Sequence, residues 1–218
     1  MRSPPTLRGP LAGRLVALLL GLFVFAAGIV ALLQSGLGLS PWDVLHQGIA
    51  EHTRLSFGAA NITVSVLVLA VAWVLGARVG LGTLANALLV GAFVQLLMSS
   101  EAISGHSDLG LGPRLALLAA GIMLMGVGTA LYIGAGLGAG PRDSLMVVGA
   151  ARTRVRVGIV RGVLELSALA AGFALGGAVG IGTLVFAFAI GPTVETAFWA
   201  LERTSLARPS QSTLPAAR

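Results

Sequence analysis

Residues 36–45, GLGLSPWDVL, return one hundred residues later as GLGAGPRDSL, residues 136–145. Gly36, Leu37, Gly38, Pro41, Asp43 and Leu45 meet Gly136, Leu137, Gly138, Pro141, Asp143 and Leu145. The register runs on without a gap. Gly21 and Gly28 meet Gly121 and Gly128, and Thr53, Arg54 and Gly58 meet Thr153, Arg154 and Gly158. Gly80-Leu81-Gly82-Thr83-Leu84 meets Gly180-Ile181-Gly182-Thr183-Leu184, and Gly91 meets Gly191. Leu, Ala and Val coincide often in any apolar chain. Two different glycine motifs held in one register do not, so the sequence predicts one structural unit used twice.

That unit belongs in a bilayer. Charged residues are 10% of the chain, mean hydropathy is +0.94, and soluble domains carry roughly 25% charged residues. The fourteen basic residues are all Arg, and they stand at the ends of apolar runs. That placement fits membrane orientation and not a nucleic-acid face. The absence of Cys excludes disulfides and thiolate metal sites. Leu15 to Leu33 follows Arg2, Arg8 and Arg14. It is longer than the roughly 7–15 residues of a signal-peptide core, so it reads as a retained first span.

The pattern predicts an all-α transmembrane bundle with spans near 15–33, 58–75, 83–98, 115–133, 158–175 and 183–199. The helix after each Pro is half-length. Trp42 to Thr53 reaches only about 18 Å against a core of about 30 Å. Three spans per unit is an odd number, so the second unit enters from the opposite side and the repeats are inverted. The expected organisation is a cytoplasmic segment 1–14, membrane repeats 15–98 and 115–200, an external linker 99–114 and a cytoplasmic tail 201–218. Arginine placement agrees. Arg2, Arg8, Arg14, Arg78, Arg142, Arg152, Arg154, Arg156, Arg203, Arg208 and Arg218 fall inside, against Arg54 and Arg114 outside. Both termini are then cytoplasmic. Eight spans with parallel repeats would break this bias.

In Gly-x-Gly-x-x-Pro-x-Asp the glycines end a span, Ser40 can cap and Asp43 has capping-box spacing. Capping alone can account for Asp43 and Asp143. The functional reading is a broken helix whose amino end enters the membrane, as at transporter substrate sites. The Gly-x-Gly of a dinucleotide fold would need a preceding strand, which is missing. Gly-x-Gly-Thr-Leu reads as a tight turn with Thr83 and Thr183 as N-caps. Arg161 and Glu165 lie four apart on one helical face and can pair, either structurally or at a site. Intramembrane charge normally faces a bundle interior. In register Glu195 meets Gln95, Arg161 meets Asn61 and Phe186 meets Asn86. The candidate substrate-binding set is Asp43, Asp143, Arg142, Trp42, Asn86, Arg161, Glu165 and Glu195, with Arg161 as counter-ion. Asp43, His46 and His52 lack a further ligand at metal spacing, so no metal or cofactor is expected. No hydrolase constellation is present, so no enzyme is expected.

The motifs GLGLSPWDVLHQGIA, LSFGAANI, GLGTLANALLVG, GLGAGPRDSL, RGVLE and GIGTLVFAFAIGP span Leu15 to Trp199. In these the chain resembles the YczE/YyaS/YitT-type bacterial integral membrane proteins, in particular the YczE-like branch. The resemblance implies a multi-spanning cytoplasmic-membrane protein and assigns no site residue. The residues themselves lead to a transporter of a small polar or anionic solute. The alternative is a non-transporting accessory protein that scaffolds a partner enzyme. The bilayer is the expected partner; nucleic acid is not, and a homodimer or partner protein is left open.

Overall fold

A computed structural model describes residues 5–100, 110–204 and 207–208. Among these, eight helices follow one another: α1 (Leu11–Ser35), α2 (Pro41–His52), α3 (Phe57–Val74), α4 (Leu81–Met98), α5 (Leu111–Gly134), α6 (Pro141–Thr153), α7 (Val157–Ala174) and α8 (Ile181–Glu202). Six of them, all except α2 and α6, are long and apolar enough to cross a bilayer. The protein is therefore an all-helical integral membrane protein. One small β pair lies outside the bundle, with β1 (Thr6–Leu7) antiparallel to β2 (Ala207–Arg208).

Several boundaries move from the expected ones. The external linker 99–114 loses its last four residues to α5, which already begins at Leu111. The amino-terminal segment 1–14 likewise gives up Leu11 to Arg14 to α1. The tail 201–218 starts with two residues of α8 and includes β2. Glu101, His106 and Asp108 of the linker lie outside the described residues.

The turn chemistry explains the helix ends. Gly36 closes α1 in the left-handed region at φ 58°, and its N–H bonds the Leu33 carbonyl at 3.2 Å. Gly38 follows at φ 120°, with Gly136 at 64° and Gly138 at 130° in the second half. Side chains with a Cβ rarely reach such angles. Ser40 caps α2 and Pro41 takes the first turn. Thr83 and Thr183 are not N-caps as expected. Gly80 and Gly180 take that position in extended backbone. Each Thr hydroxyl reaches back instead to the cap N–H at 3.3 Å.

The core runs along α1 and α5, which pack along their length. Glycines let the backbones touch: a Cβ on Gly28 would stand 2.8 Å from the Gly121 oxygen, and one on Gly128 2.7 Å from the Gly21 oxygen. The two helices run antiparallel, and each caps the other. Arg14 near the start of α1 donates to the Ala135 and Gly136 carbonyls past the end of α5, both at 2.7 Å. Arg114 near the start of α5 donates to Ser35 at 2.7 Å and Gly36 at 2.6 Å. A guanidinium at a helix carboxyl end satisfies orphan carbonyls and opposes the dipole. The glycine motifs cross over as well. Gly82 N–H donates to the Leu37-equivalent carbonyl of the second half, Leu137, and Gly182 N–H donates to Leu37, both at 2.8 Å.

The halves differ in one packing. α3 lies tightly along α4, whereas α7 and α8 scarcely touch. In the first half Gly58 and Gly91 face each other so closely that a Cβ on either would collide with the other's carbonyl oxygen. Their counterparts Gly158 and Gly191 face open space. Residues of both α7 and α8, on either side of that gap, line the candidate site.

Candidate functional site

The amino ends of α2 and α6 meet inside the bundle, where the Arg142 guanidinium lies 5.3 Å from the centre of the Trp42 ring. That distance is within cation–π range. A cavity of about 360 Å³ opens there, bounded by α5, α6, α7 and α8, with Phe25 of α1 and Asn86 of α4 completing its wall. Seven of the eight candidate residues line it: Trp42, Asn86, Arg142, Asp143, Arg161, Glu165 and Glu195. Asp43 does not.

Asp43, the residue after Trp42, is fully buried behind the cavity wall. Its carboxyl oxygens face Ser40 Oγ and, at 3.3 Å, His46 Nδ1. Asn61 Nδ2 reaches the same His46 nitrogen at 3.1 Å. One ring nitrogen can donate to Asp43 or accept from Asn61, but not both at once. Ser40, Asp43, His46 and Asn61 are each no more than 1% exposed. They form a polar plug inside the first half. The repeat register explains why Asp143 differs: Gly140 stands at the Ser40 position and Met146 at the His46 position. Asp143 therefore lacks those partners and accepts from the Tyr132 hydroxyl at 3.0 Å.

Arg161 Nε donates to Glu165 Oε1 at 2.8 Å, with the two side chains 49% and 31% exposed. This guanidinium already holds its counter-ion, so Arg142 is the cavity cation without a carboxylate partner among the described residues. Glu195 is likewise exposed and without a cation partner there. Arg142 lines the cavity rather than a helix flank, so it leaves the set of arginines expected inside, which keeps ten. Trp42 is buried, and its indole N–H has no acceptor among the described residues.

Sequence reading missed Tyr132, the chain's single tyrosine, set in an apolar span opposite Leu32 in the register. It also missed Pro192, which removes a backbone N–H from the middle of α8 beside the cavity, one residue after Gly191. No group of three or more His, Asp or Glu side chains suited to a metal occurs among the described residues.

The family of unknown function designated DUF6198 has a model that matches residues 12–198. The chain belongs to that family. An uncharacterized protein of Haemophilus influenzae is 40% identical over 178 residues, 82% of this chain and 80% of its own. The uncharacterized membrane protein YczE of Bacillus subtilis is 33% identical over 174 residues, 78% of this chain and 79% of its own. The resemblance to YczE-like membrane proteins therefore holds along most of this DUF6198 chain. No solved structure matches it.

Proposed function

We propose that this protein transports a small polar solute across the bacterial cytoplasmic membrane. The observation that carries the reading is the charged cavity of about 360 Å³ lined by the amino ends of both half-length helices. Broken helices meeting at a central polar site recur in transporters with inverted repeats. Antiparallel α1 and α5, with exchanged arginine caps, support inverted insertion of the halves. The ten-to-two arginine bias supports cytoplasmic termini.

The tight α3–α4 pair is a template for a shut state of α7 and α8. Pro192 gives α8 a weakened backbone at the height where such a movement would bend it. In this reading Arg142 is the counter-ion for the solute, and Glu195 is the carboxylate free to take a proton or cation. Asp143 and Tyr132 shape the wall. Asp43 is structural. The protein performs no covalent chemistry on its solute.

Flux into proteoliposomes, followed with labelled solutes or by currents on supported membranes, tests the proposal. Transport that falls at least tenfold in Arg142→Gln sustains it. Zero flux for every charged and zwitterionic probe, from protein shown to be folded, removes it.

A further inference from the structure

The cavity's charges do not complement a simple anion. Two guanidinium groups and three carboxyl groups line it, which leaves one negative charge in excess when all are ionised. Arg161 and Glu165 satisfy each other. Arg142, Asp143 and Glu195 each have no opposite charge within 4 Å among the described residues. Closing the cavity around a ligand takes these charges out of water, so a ligand that supplies both signs offsets more of that cost than a ligand that supplies one. A lone anion would meet Arg142 but crowd the two acids, and a lone cation would leave Arg142 uncompensated.

From this we infer that the cavity takes a small zwitterion, a carboxylate and an ammonium on one apolar body, which is the chemistry of free amino acids. The inference rests on the transport reading of the same cavity. The carboxylate lies against Arg142. The Arg142 guanidinium stands over the Trp42 ring, 5.3 Å from its centre, and its forked N–H groups can make a two-point contact with a carboxylate. The α6 amino end starts at Gly140 with no side-chain cap, so its first N–H groups add donors on the same side. Trp42, only 7% exposed, belongs to this wall and brings an indole N–H that lacks an acceptor. The ammonium faces Glu195, the carboxylate of α8 that lines the cavity without a cation partner among the described residues. Met125, Phe186, Ile190 and Phe198 cover the body. The volume is at the small end of the roughly 300–1,000 Å³ of ligand pockets, which suits a single compact solute.

Thermal melts of the detergent-purified full chain decide the matter. The probes are leucine and phenylalanine, their carboxamides, and 4-methylpentanoate and 3-phenylpropanoate, which lack the amine. A ligand that binds the folded state raises the melting temperature. We expect a rise with at least one amino acid and little with either truncated partner. Arg142→Gln and Glu195→Gln should each weaken amino-acid binding about ten- to hundredfold. Glu195 is exposed, so its variant carries the test even if Arg142→Gln does not fold. An amine-free acid or a carboxamide that binds as well as the amino acid overturns the inference. So does the absence of any shift. Flux separates the two readings. Amino acids that bind without crossing the membrane keep the zwitterion and remove the transporter. Arg142-dependent flux of the amine-free acid alone does the reverse.

Discussion

The α3–α4 pair and the α7–α8 pair share their glycines but not their state. The first is closed over a buried Asp43–His46–Asn61 plug; the second stands open around Arg142, Arg161, Glu165 and Glu195. In register, Asn61, Ser65 and Gln95 of the closed pair become Arg161, Glu165 and Glu195 of the open one. Shutting the second pair as tightly as the first would take three ionised groups out of contact with water, and neutral amides and a hydroxyl spare the first pair that cost. The glycine motif therefore sets how near two helices can come. The residues one or two turns beyond each glycine, at 61, 65 and 95 or 161, 165 and 195, set how costly that approach is.

The two halves should differ most at the plug. Replacing Asp43 by Ala strands Ser40 and His46 in a dry site and should cost about 3 kcal/mol or more of stability. Asp143→Ala, in the open half, should cost about 1 kcal/mol, the worth of one hydrogen bond. Unfolding of the two variants in the same detergent, followed by circular dichroism, reads the contrast; equal losses would erase the distinction between the halves.

Glycine substitution comes next. Gly58→Ala or Gly91→Ala drives a methyl group into a backbone carbonyl and should cost about 1–3 kcal/mol. Gly158→Ala meets nothing within 4 Å and should be neutral or gain up to about 1 kcal/mol from helix propensity. Melting temperatures that fall alike in both would mean the second pair is also closed. The exchanged caps give an effect of comparable size. Arg14→Ala and Arg114→Ala should each lose about 1.5–3 kcal/mol at most, since charged hydrogen bonds to carbonyls carry that much. The two losses should add, because the caps lie at opposite ends of the bundle and share no partner. The smallest change is Arg161→Gln. Its half-exposed pair with Glu165 should contribute under about 1 kcal/mol to stability, so a large loss there would place the pair in the packed core.

Much of this was written in the residues. The six long helices and the two short ones follow from apolar run length, and α2 starts at Pro41, one residue before its expected Trp42. The Arg161–Glu165 pair follows from spacing alone. The openness of the second half does not, because Gly158 and Gly191 carry the same local signal as Gly58 and Gly91. Only the packing partner distinguishes them. Asp43 and Asp143 were indistinguishable within their shared motif, and the difference arises three residues to either side, at Ser40 or Gly140 and at His46 or Met146. Thr83 was misplaced as a cap because the extended backbone of Gly80 is invisible in composition. Arg14 and Arg114 stand one hundred residues apart like the other matched positions, yet nothing local reveals that each serves the other's neighbour.

Those exchanged arginines bear on how the polypeptide is made. A ribosome that has delivered only the first hundred residues has left the carbonyls after α1 without their guanidinium, and Gly82 without its acceptor at Leu137. Neither portion can complete its own ends. Translation of the later portion supplies what the earlier one is waiting for, so maturation is a mutual event that depends on both portions being present in one bilayer.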